Sequence, residues 1–166
     1  MDSRSRIVLL LVLLVPVLLT AGCGYSIYTK ASLPFSEIRI GSVENRTLEP
    51  KLDDKLRRAL VEEFTKYGVT VTPRAVPVIS GTIRNFSMAS LSEKNDITVE
   101  YRFLIDADFT YQDSAGKVRE IKNRGLPFIV SFSGSGTLPD LLAAREVAER
   151  QAMSDLAKSI IGSLIY

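Results

Sequence analysis

The chain has 166 residues and a formal charge of +2, with one cysteine and no histidine. This near-neutral balance, without a basic stripe among aromatic residues, argues against nucleic-acid binding. The lack of histidine removes the commonest general base and metal ligand, so catalysis and metal binding are disfavoured.

The first 22 residues have the layout of a cleavable secretion signal. Arg4 and Arg6 precede an apolar run from Ile7 to Leu19, and small residues follow it. The run has 13 residues, which is short for a helix that must cross about 30 Å of hydrocarbon. We therefore expect residues 1–22 to be removed rather than to stay as a transmembrane anchor.

Cys23 directly follows Leu19-Thr20-Ala21-Gly22, which resembles the lipobox of bacterial lipoproteins. The alternative is that Cys23 is an unmodified small residue at the end of a signal peptide that directs no lipidation. We predict a diacylglycerol thioether on the Cys23 thiol and an N-acyl chain such as palmitate on its α-amino group, because two or more acyl chains anchor a protein stably. No other cofactor is expected. By resemblance, Gly24 rather than aspartate indicates sorting to the outer membrane, on its periplasmic side.

Cleavage at Cys23 leaves 144 residues with a charge of +1, because the signal holds two basic residues and one acidic residue. This length fits about one domain. Residues 23–35 lack sustained periodicity and are predicted to be the lipidated N-terminus and tether. Residues 36–166 are predicted to form one domain.

The first predicted elements of this domain are a short strand, a loop and a helix. Alternation over Glu37–Ile40 indicates a strand, and turn-forming residues predict a loop over Gly41–Pro50. From Lys51 the apolar residues follow helical spacing, and Gly68 is a plausible helix stop. These residues are Leu52, Leu56, Ala59, Leu60, Phe64 and Tyr67.

Three strands are predicted next. Val78–Phe86 and Ile97–Gln112 alternate between apolar and polar residues, and the second gives the clearest signal in the chain. Asp113–Gly116 predicts a hairpin turn. The return strand is expected over Lys117–Ser133 with a bulge at Lys122–Gly125.

A final helix is predicted from Leu138 to Leu164 by an apolar stripe near the helical period. The order is strand, helix, three strands, helix, and a right-handed crossover makes the first two strands parallel. We therefore predict an α/β (α+β) two-layer sandwich, with a four-stranded mixed sheet and two helices on one face.

Two groups of polar residues have alternative interpretations. Asp106 and Asp108 share one face of a strand, which could support acid–base chemistry, but a solvated strand face is favoured. The densest basic cluster could contact an anionic ligand, although charges on a hairpin edge also discourage aggregation. It consists of Lys117, Arg119, Lys122 and Arg124.

Four segments in this order resemble the LPS-assembly lipoprotein family, LptE. They are Leu19 to Tyr25, Val43-Glu44-Asn45-Arg46-Thr47 with Glu49-Pro50, Gly81-Thr82-Ile83, and Val99-Glu100-Tyr101-Arg102. The resemblance implies a non-enzymatic protein that plugs the outer-membrane β-barrel LptD and assists lipopolysaccharide delivery to the cell surface.

The resemblance also implies lipopolysaccharide contacts by basic residues at two places. Lys94 matches the first, in the loop before the Glu-Tyr strand. Apolar residues around Leu141 occupy the second, so Arg145 is the nearest substitute. The basic cluster described above, Lys117, Arg119, Lys122 and Arg124, provides further lipopolysaccharide-binding candidates. A different function is a periplasm-facing lipoprotein that regulates a cell-wall synthase, using the Asn45-Arg46-Thr47 loop. An enzyme is the third alternative.

Overall fold

The computed structural model describes residues 33–94, 97–123, 127–128 and 137–165. In chain order the elements of these ranges are β1 (Glu37–Asn45), α1 (Leu52–Lys66), β2 (Thr70–Val71), β3 (Val78–Lys94), β4 (Ile97–Gln112), β5 (Val118–Asn123), β6 (Pro127–Phe128) and α2 (Leu138–Ile165). Within them, no helix has both the length and the apolar character needed to cross a bilayer.

The strands form one mixed sheet in the order β2-β1-β3-β4-β5, and β6 also pairs with β4. β1 is parallel to β2 and β3, whereas β3, β4 and β5 are successively antiparallel. The predicted α+β architecture and strand directions are confirmed. Six strands replace the expected four, because β2 is added at one edge and the return strand is divided into β5 and β6.

One hydrophobic core joins the inner face of the sheet to both helices. The alternation predicted for β4 is confirmed from Phe103 to Tyr111, where every second side chain is buried. The stripes predicted for the helices also face this core. Their buried apolar residues are Leu52, Leu56, Ala59, Leu60 and Phe64 of α1, and Ala148, Ala152, Met153, Leu156, Ala157, Ile160, Ile161 and Leu164 of α2.

The first strand is longer than its sequence predicts. β1 continues to Asn45, so the expected loop over Gly41–Pro50 is wrong in its first half. The register with β3 shifts between Ile40 and Val43, which indicates a bulge at Gly41 and Ser42. These turn-forming residues therefore bend the strand without ending it, and its pairing resumes at Val43.

The third strand extends to Lys94 rather than ending at Phe86. Ile83 lies opposite Ala107 but Asn85 lies opposite Asp106, so Arg84 is one extra residue in β3. This bulge moves the inward positions from odd to even residue numbers, and Phe86 faces the core opposite Ile105. The interruption of the alternation explains why the sequence pattern appeared to stop there.

The hairpin after β4 has the predicted turn at Asp113–Gly116, and Gly116 adopts a positive φ of 83°. Asn123 pairs with Ala107, and Phe128 pairs with Phe103. The bulge expected at Lys122–Gly125 extends into residues outside the described part of the chain. The predicted continuation of the strand to Ser133 lies outside the described residues.

Gly81 provides a direct test of core packing. A Cβ atom at this position would lie 2.3 Å from Phe109 Cδ1, because the ring occupies the space above the glycine. We expect Gly81→Ala to lower the free energy of unfolding by about 1–3 kcal/mol through overpacking, measurable by urea denaturation.

The matched control is Gly162→Ala in α2, where no atom lies within 4 Å of the new Cβ. Alanine should stabilise this helix position by roughly 0.5–1 kcal/mol. Equal effects of the two substitutions would contradict the proposed contact between Gly81 and Phe109.

Candidate functional site

The segment between β1 and α1 is held by the side chain of Asn45. Its Oδ1 accepts hydrogen bonds from Thr47 N at 3.0 Å and from Thr47 Oγ1 at 2.8 Å, and its Nδ2 donates to Glu49 O at 2.6 Å. Arg46 pairs with Glu44 at 2.9 Å, in an exposed position. Asn45 and Thr47 therefore shape the loop, and Leu48 at its tip is fully exposed.

This loop places Glu49 in an ion-pair network with α2. Arg145 Nη2 lies 2.5 Å from Glu49 Oε2, and Arg145 Nε lies 2.8 Å from Glu149 Oε1. The other oxygen of Glu149 lies 2.5 Å from Lys55 Nζ of α1, and the same ammonium lies 2.8 Å from Glu146 Oε2. Glu149 is only 2% exposed, so the network ties the loop and both helices together.

The environment of Lys55 favours its charged form. Burial lowers the pKa of its ammonium, but hydrogen bonds to Glu146 and Glu149, with their negative charges, raise the pKa above its ordinary value overall. The hydrogen bond from Lys55 also lowers the pKa of Glu146. Both pKa shifts are in the direction that attraction between Lys55 and Glu146 produces, so this pair is charged at neutral pH.

The guanidinium of Arg145, a candidate lipopolysaccharide contact, is therefore already paired with carboxylates of the protein itself. Its guanidinium is shared between Glu49 and Glu149, and its side chain is about one-third exposed. This geometry gives Arg145 a structural function. The network does not follow from the local sequence pattern, although the position of Glu149 beside the apolar stripe of α2 is a signal of it.

The predicted basic cluster is divided between the two faces of the sheet. Lys122 lies opposite Asp108 on the outer face and pairs with Glu120 at 3.1 Å. Arg119 lies opposite Tyr111 on the helix side, with its guanidinium carbon 5.9 Å from the ring centroid. Lys117 belongs to the turn, and Arg124 lies outside the described residues. The three described residues of the cluster therefore do not form a single patch.

The remaining candidate, Lys94, ends β3 and pairs with Ile97 across the tip of the β3–β4 hairpin. Its backbone is placed there, but its side chain is outside the described part of the structure. β4 contains 16 residues, which corresponds to about 50 Å of strand. Lys94 and the turn that contains Lys117 are therefore at opposite ends of the sheet.

The outer face of the sheet contains an open groove of about 300 Å³. Asp108 lies within it and pairs through Oδ2 with Arg84 at 3.1 Å, and Asp106 accepts a hydrogen bond from Asn85 at 3.5 Å. These contacts agree with the solvated-face interpretation of the two aspartates. Asp108 Oδ1 is shielded from solvent and accepts no hydrogen bond from any described residue. A partner could reach this oxygen only if the side chains that cover it moved.

Most residues that line the groove are polar or charged, with acidic and basic groups among them, and polar and apolar atoms contribute about equally to its surface. Its lining residues are Ser42, Glu44, Ser80, Gly81, Thr82, Asp108, Phe109, Thr110, Glu120 and Lys122. Such a surface suits hydrogen bonding to a polar macromolecular wall better than enclosure of an apolar ligand.

Comparison with known proteins identifies one family and a shared fold. Residues 35–164 match the family model of LptE, described as lipopolysaccharide-assembly. No curated protein sequence matches the chain significantly.

Solved lipoproteins show the same fold at low sequence identity. A minor lipoprotein from Acinetobacter baumannii has a TM-score of 0.53 and 16% identity, covering 80% of this chain and 92% of that chain. Rare lipoprotein B from Shewanella oneidensis has a TM-score of 0.53 and 14% identity, covering 76% and 92%.

The dodecamer of a PelC variant from Paraburkholderia phytofirmans is also similar, with a TM-score of 0.51, 13% identity, and coverage of 80% of this chain and 92% of that chain. At such identities these likenesses concern the fold alone. Because a protein that forms a dodecamer shares this fold, the fold alone does not indicate a function. The function must be inferred from the family match and from the chemistry of the surface.

Proposed function

We propose that this chain, which belongs to the LptE family of lipopolysaccharide-assembly lipoproteins, plugs an LptD-like outer-membrane β-barrel. There it assists assembly of the barrel and delivery of lipopolysaccharide to the cell surface. The observation that supports this function most is the match of the family to residues 35–164, which include both helices and the whole described sheet. The family is non-enzymatic, and its role is assembly.

The outer sheet face supports a barrel as the partner. The lumen of a large outer-membrane barrel is polar, and the groove around Asp108 presents hydrogen-bonding groups of both charges. The more than half-exposed side chains of Glu120 and Lys122 could pair with lumen residues without rearrangement of the sheet. We place the protein at the outer membrane, on the periplasmic side, attached through lipid on Cys23.

Affinity purification of the native lipoprotein tests this proposal. We expect an outer-membrane barrel to co-purify, and we expect the double substitution Asp108→Lys and Glu120→Lys to lower its recovery at least tenfold through charge reversal. The control reverses Glu62 and Asp155, which lie on the helices. Recovery of an inner-membrane cell-wall synthase instead would favour the regulatory alternative.

Direct contact with lipopolysaccharide would occur at the tip of the β3–β4 hairpin. Lipid A phosphates are anions, and Lys94 could meet them with a charge-assisted hydrogen bond. We expect Lys94→Glu to weaken binding of the full-length protein to purified lipopolysaccharide about tenfold, because a favourable charge pair becomes repulsive. Surface plasmon resonance at two salt concentrations measures both the affinity and its screening.

Lys158→Glu is the control for this measurement, because it makes the same charge change on α2, outside both the hairpin tip and the predicted basic cluster. Thermal unfolding should be nearly unchanged in both variants, since most surface substitutions alter stability by less than about 0.5 kcal/mol. Unchanged lipopolysaccharide affinity in Lys94→Glu, and in a combined charge reversal of Lys117, Arg119, Lys122 and Arg124, would restrict the protein to a barrel plug and folding partner.

A further inference from the structure

The chain enters the domain at one end of the sheet, where basic and exposed apolar side chains lie close together. Leu33 is buried in the core, and Phe35 stacks on Tyr111 with ring centroids 5.6 Å apart. The packed structure therefore begins before Ser36, within the predicted tether. The same end contains the 72–77 loop before β3 and the turn from Asp113 to Lys117. We call this surface the tether end.

Two depressions flank the turn of the tether end. One, of about 550 Å³, contains Arg39 and Arg74 beside Ser114. The other, of about 450 Å³, contains Lys117 and Arg119, again beside Ser114. The turn therefore has two cationic side chains on each side.

These four cations have no carboxylate partner among the described residues. No ion pair within 4.0 Å involves Arg39, Arg74, Lys117 or Arg119. The nearby carboxylate of Asp113 is directed into its own turn, because its Oδ1 accepts hydrogen bonds from Ala115 N and Lys117 N, both at 2.9 Å. The cations of the tether end are thus available to an external anion.

Apolar side chains accompany these charges. Val76 is 64% exposed and follows Arg74 by two residues, and Val118 is 57% exposed between Lys117 and Arg119. Basic residues interspersed with exposed apolar side chains are typical of surfaces that lie in the interface of a bilayer. A soluble anion would explain the charges alone, whereas a bilayer explains both features.

The length of the tether limits how far this end can lie from a membrane. Leu33 is the tenth residue after Cys23. Even when fully extended, the chain between these two residues therefore spans at most about 36 Å. A lipid on Cys23 would keep the tether end near the bilayer surface at a high effective concentration. Weak contacts with headgroups are then sufficient to orient the domain.

We propose that the tether end docks onto the phosphates of anionic phospholipids in the leaflet that holds the lipid anchor. This inference rests on the proposed lipidation of Cys23. Guanidinium and ammonium groups donate hydrogen bonds to phosphate oxygens, and the two valines enter the headgroup region. Docking turns the opposite end, with the β3–β4 hairpin tip and Lys94, away from this leaflet.

The test uses the full-length lipidated protein in vesicles of phosphatidylcholine, with or without phosphatidylglycerol. A fluorophore is attached at Ser114→Cys in the turn or, as a distant control, at Leu48→Cys, and nitroxide-labelled headgroups quench it. We expect stronger quenching at position 114 than at position 48, an increase with phosphatidylglycerol, and a decrease with salt as the charges are screened.

Substitutions then separate specific docking from simple proximity. Arg74→Gln with Lys117→Gln should lower the ratio of docked to undocked protein roughly 25-fold, since each basic residue near an anionic surface contributes about fivefold. The control pair, Arg46→Gln with Lys122→Gln, removes the same charge elsewhere and should leave quenching unchanged.

If the protein is anchored but quenching is equal at both labels and independent of salt, docking is overturned. The proposed function would be unaffected by this outcome. Protein that fails to remain with the vesicles, or whose Cys23 thiol accepts the fluorophore, would overturn both lipidation and the docking that depends on it.

Discussion

Replacing Glu149 with alanine should lower the free energy of unfolding by about 3–5 kcal/mol, the loss typical of a broken buried ion pair. Glu149 is almost fully buried and balances two cations, Lys55 and Arg145. Its removal leaves both without their shared partner in a poorly solvated region. Urea denaturation at neutral pH measures the change, with circular dichroism as the signal.

Two comparisons identify the cause of this loss. Lys158→Ala removes the exposed pair with Asp155, 2.8 Å apart, and should cost no more than about 1 kcal/mol. Combining Glu149→Met with Lys55→Met and Arg145→Met should recover part of the loss, because a well-packed apolar cluster can replace buried ions. If Glu149→Ala were as mild as Lys158→Ala, the network would contribute little to folding.

The second large effect concerns attachment to the membrane. Cys23→Ser should transfer the protein from the membrane fraction to a soluble or uncleaved form, because serine offers no thiol for acylation. Detergent-phase partitioning and the mass of the mature N-terminus measure this change. Partitioning of Cys23→Ser at the wild-type level would contradict lipid anchoring.

Gly24→Asp is an informative companion to that experiment. The thiol remains, so this variant should still be acylated and still partition into detergent. The resemblance to bacterial lipoproteins predicts that aspartate after the cysteine alters sorting, which moves the protein to the inner membrane. Separation of the two membranes by density gradient distinguishes lost lipidation from changed destination.

The architecture was predictable because its core follows simple periodicities. β4 alternates without interruption, and the helices repeat apolar residues near the helical period, so their buried faces could be assigned from sequence. The parallel pairing of β1 with β3 followed from the intervening helix. These elements depend on local patterns that tertiary packing did not override.

The strand limits were not predictable, because each error coincides with a bulge. Gly41 and Ser42 looked like a strand end, and Arg84 inverted the alternation of β3 before Phe86. A bulge depends on pairing with another strand, which is a tertiary contact that a linear pattern does not contain.

The candidate sites were less predictable than the fold for the same reason. Arg119 and Lys122 are three residues apart in sequence, yet the pleat directs them to opposite faces. Arg145 was proposed as the nearest substitute for a lipopolysaccharide contact, but Glu49, 96 residues away in sequence, pairs with its guanidinium. Charge density along the chain therefore did not reveal which cations share a surface.

The order of the elements along the chain has a consequence for folding. The inward side chains of β4 and α2 belong to one core, yet α2 begins 26 residues after β4 ends. A chain that is made from its N-terminus cannot complete this core until α2 has followed. The inner face of β4 is therefore only partly covered during synthesis, when exposed apolar surface favours aggregation.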